Sequence, residues 1–223
     1  MSFFKNKHRL HDPVWHVQVA MLVALILQLT LPDKFSVGTR YIIPAIEALL
    51  LLALSFTTPK ERIFRSLARR VNVLLLIIIT SIANAYALVR VTDQLLQSHI
   101  SNGRELILTA VNIYLTNMII FGLWYWEMDG GGPGERHRLQ HYELDFAFPQ
   151  QQNEELSHPA WRPTFIDYLY TSSTNAMAFS PTDTMPLTRR AKILMLLQSM
   201  ISLIAIALVA AREAIVREPR AFS

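Results

Sequence analysis

The sequence predicts an all-α membrane protein with about five transmembrane helices and a shorter, re-entrant helix between the last two. Hydrophobic residues make up 52% of the 223 residues and charged residues only 17%, whereas a water-soluble domain usually carries about a quarter of charged residues. Five apolar runs have roughly the 20 residues that cross the hydrocarbon layer. They cover approximately residues 14–31, 40–56, 71–89, 105–126 and 191–211.

The charge balance and the lack of cysteine exclude several other classes. The chain has no cysteine, so disulfides and thiolate metal sites are ruled out. The net charge of +4 comes from Lys and Arg residues that lie in short loops between the apolar runs, where such residues set membrane topology. We therefore expect the lipid bilayer as a partner and no nucleic acid. The basic start at Lys5, Lys7 and Arg9 is not followed by a cleavage site, which predicts a retained first helix.

Residues 1–103 are predicted to form a domain of three membrane helices. The first helix starts near Asp12 and Pro13 and ends at the turn 31–34. The second contains Glu47 in an apolar segment. A capping box at residues 58–61 starts a third helix of about forty residues, whose first turns are amphipathic and predicted to lie at the membrane surface, with Leu67 opposite Arg69.

Residues 104–223 are predicted to form a second domain, which begins with the fourth span. That span ends in residues 124–126, Trp-Tyr-Trp, a pattern typical of an aromatic belt at the lipid headgroups. The glycine-rich segment 129–134 then opens a polar stretch of about 35 residues, which is long for a simple connection. This stretch is therefore expected to be either functional or loosely ordered.

A short helix is predicted after the polar stretch. Thr164 and Asp167 have the spacing of a capping box, and the run 168–175 is about half aromatic or aliphatic and half hydroxyl side chains. A helix of about twelve residues spans about 18 Å, which is too short to cross a bilayer. It is better interpreted as a re-entrant half-helix.

The last third resembles the pore module of potassium channels. In that family an outer helix, a pore helix, a filter, an Asp, a Pro and Thr at fixed spacing, and an inner helix follow in order, and Asp183, Pro186 and Thr188 match in spacing. The chain is still more similar to a family of bacterial membrane proteins that carry this pattern after a Phe-Pro loop, here residues 148–149. The resemblance covers roughly residues 105–213. It implies a multi-pass protein of the bacterial inner membrane, a homotetramer, monovalent cations as partners and no cofactor.

The filter-like segment departs from potassium channels in a way that predicts poor selectivity. Potassium filters use glycines because alternate residues take positive φ to aim a ring of carbonyls at the ion. Ser180 and Thr182 occupy those positions here, and Pro181 restricts its own φ and that of its neighbour. Ser202 likewise stands near the usual hinge glycine of the inner helix. We expect a weakly selective cation pore or a non-conducting protein. Its predicted pore residues are Thr174, Ala178, Phe179, Ser180, Pro181, Thr182 and Asp183.

The distribution of basic residues predicts the orientation in the membrane. Of the 21 Lys and Arg residues, 14 lie before the first span, in residues 57–70 and in residues 127–192, which share one face of a five-span protein. The positive-inside rule then places the N-terminus and the pore-like loop in the cytoplasm. This orientation is inverted relative to potassium channels and resembles that of glutamate-receptor channels.

Several polar residues inside the predicted spans have two interpretations. Glu47 is either a proton or cation site, or a carboxyl paired with a neighbour such as Asn84. Asn84, Asn112 and Asn117 either line a pathway or form interhelical hydrogen bonds. Asp183 either forms an acidic ring at a pore mouth or caps the turn before Pro186.

Two hypotheses from other classes remain beside the channel-like one. The first is a membrane-bound, metal-dependent hydrolase, whose ligands would come from a set of acidic and histidine side chains: Glu127, Asp129, His137, His141 and Asp145. The second is a scaffold or accessory subunit with a channel-like fold. The channel-like interpretation predicts no catalytic residue and no metal site.

Overall fold

The computed structural model describes residues 15–38, 41–56, 67–97, 103–138, 144–152, 161–177 and 183–217. Most of these residues are helical, as predicted. The helices are α1 (Trp15–Leu29), α2 (Ile42–Phe56), α3 (Leu67–Leu96), α4 (Gly103–Met128), α5 (Pro133–Arg138), α6 (Pro149–Gln152), α7 (Phe165–Met177) and α8 (Arg189–Arg217). Two single 3₁₀ turns lie at Asp33–Phe35 and Asp129–Gly131. The helix starts predicted at residues 12–13 and 58–61 lie outside the described residues.

The all-α prediction needs one correction. Strand β1 (Phe146–Ala147) pairs antiparallel with strand β2 (Met185–Pro186), with Phe146 opposite Pro186. A two-residue strand leaves no periodic signal in a sequence. The pair joins the polar stretch after α4 to the segment just before α8.

Among the described residues, three helical segments are long and apolar enough to cross a membrane. They are residues 67–96 (α3), 104–131 (α4 with the 3₁₀ turn that follows it) and 189–211 (in α8). Helices α1 and α2 are apolar but have 15 residues each, which corresponds to about 22 Å against a hydrocarbon layer of about 30 Å. The five-span arrangement therefore stays a prediction for these two helices.

Helix α4 is the centre of the bundle. It packs against α1, α3, α7 and α8. Of its most apolar 18-residue segment, 67% is buried inside the protein, whereas the corresponding share for α8 is 17%. A core cluster of buried side chains joins both halves of the chain, with members such as Val17, Leu54, Val73, Ile120 and Tyr168. The short helix α7 is consequently held against a well-packed scaffold.

Two predictions about the membrane surface are wrong. The aromatic residues 124–126 do not form a headgroup belt, because Tyr125 and Trp126 are 0% and 1% exposed and belong to the core. Arg69 does not lie on an exposed polar face opposite Leu67. It is buried, with its guanidinium 5.5 Å from the centre of the Trp126 ring, while Leu67 is exposed. Both errors arise because α4 is covered by other helices at this end.

The polar stretch after α4 begins as a tight, ordered turn. Gly130, Gly131 and Gly132 all have positive φ (58°, 81° and 99°), a conformation that glycine adopts without steric cost. Arg136 donates hydrogen bonds to the carbonyl oxygens of Trp126, at 2.8 Å, and Asp129. The glycine run thus turns the chain back under α4.

Candidate functional site

The short helix α7 starts at the predicted capping box. The Asp167 carboxylate accepts hydrogen bonds from the backbone N–H of Thr164 (2.7 Å) and from its hydroxyl (2.9 Å). These bonds satisfy groups that a helix start leaves without partners. The resulting helix has 13 residues, close to the predicted length.

Helix α7 lies unusually close to α4 at one glycine. A Cβ atom built on Gly122 would be 3.1 Å from the Cα of Leu169, so only glycine permits this approach without a shift of backbone. One turn earlier on α4, the carbonyl oxygen of Met118 accepts a 2.7 Å hydrogen bond from the hydroxyl of Ser172. Close packing and a buried hydrogen bond together fix α7 on α4.

Gln198 of α8 is the hub that joins α7 to the two long helices. It is fully buried, and its amide nitrogen donates to the carbonyl oxygen (2.8 Å) and hydroxyl (2.6 Å) of Ser172. Its amide oxygen accepts from the hydroxyl of Tyr125 (2.5 Å) and from the amide of Asn175 (2.9 Å). One side chain thereby connects α4, α7 and α8.

Further polar contacts extend this hub along α8. Asn175 also donates to the carbonyl oxygen of Met195 at 2.9 Å. Asn117 of α4 donates to the hydroxyl of Ser202 at 2.9 Å. Ser202, predicted to replace a hinge glycine, thus serves as a hydrogen-bond partner between two helices.

A second buried cluster lies beside α7 and ties the polar stretch to α8. Asp129 accepts hydrogen bonds from the backbone N–H groups of Asp145 (2.7 Å) and Phe146 (3.2 Å) and from the hydroxyl of Tyr168 (2.5 Å). The Asp145 carboxylate is fully buried and accepts two bonds from Arg190 (2.7 and 2.9 Å) and one from Thr188 (2.5 Å). We call Asp129, Asp145, Tyr168, Thr188 and Arg190 the carboxylate cluster.

The structure places two of the seven predicted pore residues. Thr174 lies in α7, and its hydroxyl bonds to the carbonyl oxygens of Tyr170 and Thr171 of the same helix. Asp183 is exposed just after the filter-like segment. Ala178, Phe179, Ser180, Pro181 and Thr182 lie outside the described residues. The next residue, Thr184, is buried, 3.1 Å from the hydroxyl of Thr171, so the chain returns to α7 after that segment.

The structure gives Glu47 neutral hydrogen-bond partners, but Asn84, the example named from the sequence, is not one of them. Glu47 is buried and accepts hydrogen bonds from Gln28 (3.1 Å) and Thr80 (2.8 Å). Asn84 instead donates to the carbonyl oxygen of Ile113 at 3.3 Å. The sequence could not distinguish these partners, since Thr80 and Asn84 lie one turn apart on the same helix.

The other two intramembrane asparagines form contacts between helices. Asn112 donates to the carbonyl oxygen of Leu27 (2.6 Å) and the hydroxyl of Thr30 (2.7 Å), and Asn117 bonds to α8. These bonds correspond to the second of the two predicted uses, in which asparagine holds helices together.

The residues of the hydrolase hypothesis that the structure describes are used in packing. The carboxylate oxygens of Asp129 and Asp145 accept the bonds given above, and Glu127 lies 3.7 Å from Arg70. The side chain of His137 and the whole of His141 lie outside the described part. Within that part, no group of three or more His, Asp or Glu side chains has the arrangement of a metal site.

Sequence reasoning missed the central members of both clusters. Gln198 carries a signal, since it is a lone amide inside the apolar run of α8, and a polar group at membrane depth requires a partner. Arg190 carries only the weak signal of a basic residue at the start of the last helix. Tyr168 and Tyr125 give no signal, because tyrosine is equally common in cores and at interfaces.

Comparison with known proteins gives no relative from which function can be transferred. No family model, no curated protein and no solved structure matches this chain significantly. The fold itself defines the class: a mostly helical protein whose described part contains three helices long and apolar enough to cross a membrane.

Proposed function

We propose that the chain is the subunit of a homotetrameric, pore-loop membrane protein that forms a weakly selective cation pore. The observation that supports this most strongly is the position of α7. A helix too short to span is fixed between two helices long enough to do so, by Gly122 on one side and Gln198 on the other. Pore-loop proteins need such a fixed half-helix in front of the filter.

The exposed surface of α8 supports assembly into a ring. Four large side chains at spacings of three and four residues are 53% to 61% exposed in the single chain: Ile193, Leu196, Met200 and Leu203. A stripe with this spacing is the seam along which helices pack together. In the proposed tetramer this stripe contacts neighbouring inner helices.

The chemistry around the C-terminal end of α7 suits cations. The helix dipole places partial negative charge at that end, and the exposed carboxylate of Asp183 follows six residues after Met177, the last residue of α7. Pro181 and the residues on either side of it do not favour the torsions of a potassium filter. The proposed pore therefore conducts partly hydrated monovalent cations with little preference for K⁺.

The oligomeric state tests the assembly. Purified wild-type protein in detergent is expected to run as a tetramer by light scattering. Leu196→Ala combined with Leu203→Ala is expected to weaken the tetramer by about tenfold or more, because each substitution removes several packed methyl groups. The matched control is Ile82→Ala with Val89→Ala on α3, two side chains that are similarly exposed. A wild-type monomer at all concentrations would contradict the proposal.

Cation flux tests conduction. Wild-type protein in liposomes is expected to release Na⁺ and K⁺ at similar rates. The proposal assigns Phe179 to a hydrophobic constriction of the pore, so Phe179→Ala is expected to raise both rates by removing the dewetted barrier. Tyr86→Ala, a partly exposed aromatic residue on α3, is the control. A stable tetramer with no flux in any of these variants would favour the scaffold hypothesis, and strong K⁺ preference would contradict the argument from Pro181.

A further inference from the structure

Glu47 is held by neutral partners in the N-terminal half of the chain, away from α7. Its side chain is 3% exposed, and a single carboxylate oxygen accepts from the Gln28 amide (3.1 Å) and meets the Thr80 hydroxyl (2.8 Å). A small cavity adjoins the carboxyl group. Its water-accessible volume is about 20 Å³, which is enough for about one water molecule.

The cavity beside Glu47, as the described residues line it, contains no charged side chain that would balance a carboxylate. Among the described residues, the cavity wall is formed by three residues of α1, three of α3, two of α4 and Leu51 of α2. All of these are apolar except Thr80, and Glu47 is the cavity's single titratable group. A carboxylate without a counter-ion in such a site costs several kcal/mol, whereas a neutral carboxyl does not.

The Thr80 hydroxyl can serve Glu47 in both protonation states. It lies 2.8 Å from Glu47 and also 2.8 Å from the backbone carbonyl oxygen of Leu76. A hydroxyl has one hydrogen but also accepting lone pairs. It therefore donates to an ionised Glu47, or it donates to Leu76 and accepts the proton of a neutral Glu47. The heavy atoms need not move between these states.

A polar route connects this carboxyl to the loop at the end of α1. Gln28 donates to Glu47 on one side and on the other lines a second cavity, together with Ser36, Asn84, Asn112 and Thr116. No charged residue lines that cavity within the described part of the chain. Ser36 belongs to the loop 31–38 and lines this cavity, and it is partly exposed. Water and hydroxyl groups along such a route can relay protons.

We propose that Glu47 is a proton-binding site of the N-terminal helices, loaded and unloaded from the side of the 31–38 loop by water that passes beside Gln28. Three observations support the proposal: the cavity lined by uncharged residues, the Thr80 hydroxyl that can donate to or accept from Glu47, and the polar route past Gln28. The proposal does not depend on the pore: it would hold equally for a monomer that conducts no ions.

Infrared difference spectroscopy of the full-length protein in lipid nanodiscs tests it. Spectra recorded between about pH 5 and pH 9, a range that brackets the titration of buried carboxyls, are expected to show loss of a protonated carboxyl C=O band in the wild type. Glu47→Gln is expected to remove that band. Glu105→Gln, a surface carboxyl paired with Lys34 at 2.9 Å, is the control and is expected to keep it.

A second pair of variants guards against misfolding of Glu47→Gln. Gln28→Leu is expected to keep the C=O band to higher pH, because the ionised carboxylate loses the Gln28 donor, whereas Gln97→Leu at the exposed end of α3 is expected to leave the titration unchanged. Identical spectra for wild type and Glu47→Gln would overturn the proposal. So would a band that disappears on addition of Na⁺ at constant pH, which would indicate a metal-cation site instead.

Discussion

Asp129→Ala is expected to lower the apparent melting temperature in detergent by roughly 10 °C. The substitution removes the acceptor of three buried donors, the N–H groups of Asp145 and Phe146 and the hydroxyl of Tyr168. Each buried donor that loses its acceptor costs about 1–3 kcal/mol, and in a chain of this size about 1 kcal/mol corresponds to 2–4 °C. Intrinsic tryptophan fluorescence measures the transition, since Trp126 lies in the adjoining core.

Two variants calibrate this expectation. Tyr168→Phe removes one of the three hydrogen bonds and keeps the ring that stacks on Arg136. Its melting temperature is therefore expected to fall by about one third as much as that of Asp129→Ala. Asp93→Ala removes an exposed carboxylate that accepts a 2.7 Å hydrogen bond from the Gln97 amide, and a change within about 1 °C is expected there. An Asp129→Ala variant as stable as Asp93→Ala would mean that the carboxylate cluster does not stabilise the fold.

The sequence predicts the helices well because their signals are local. Apolar runs predict α3, α4 and α8. The spacing of Thr164 and Asp167 predicts the start of α7, and the run that follows predicts its approximate length. In each case the residues that decide the structure lie within a few positions of one another. Such features can be recognised in any single sequence.

The partners of buried polar groups could not be predicted, because they are distant in the chain. Glu47 meets Gln28 and Thr80, and Asp145 meets Arg190, across separations of 19, 33 and 45 residues. A sequence shows that such groups need partners, but the choice among several candidates depends on how the helices cross. The misplaced aromatic belt has the same origin, since nothing near Trp126 indicates that Phe165 will cover it.

The two clusters hold α7 in different ways, and this separates their expected effects. The carboxylate cluster joins the polar stretch to Tyr168 and to the start of α8 through Arg190. The Gln198 hub acts one to two turns further along α7, at Ser172 and Asn175. Loss of the first is expected to destabilise the whole fold, whereas loss of the second should act mainly on the half of α7 nearest the filter-like segment.

Gln198→Leu is accordingly expected to loosen α7 selectively. The substitution introduces an apolar side chain of similar size and removes two hydrogen bonds donated to Ser172 and two accepted from Tyr125 and Asn175. A loss of about 2 kcal/mol in local stability corresponds to roughly 30-fold faster amide exchange in residues 165–177. Hydrogen exchange with mass spectrometry measures each helix separately, so the rates of α3 serve as an internal reference.

The matched control for this variant is Gln97→Leu, which makes the same chemical change at an exposed position. It is expected to leave α7 exchange unaltered. Equal acceleration in α3 and α7 of Gln198→Leu would indicate global unfolding, and unchanged protection of α7 would show that Gly122 and the core hold the helix without the hub. Selective acceleration, in contrast, would mean that a single buried amide sets the rigidity of the segment in front of the proposed pore, because a fixed half-helix is what a filter needs to keep its geometry.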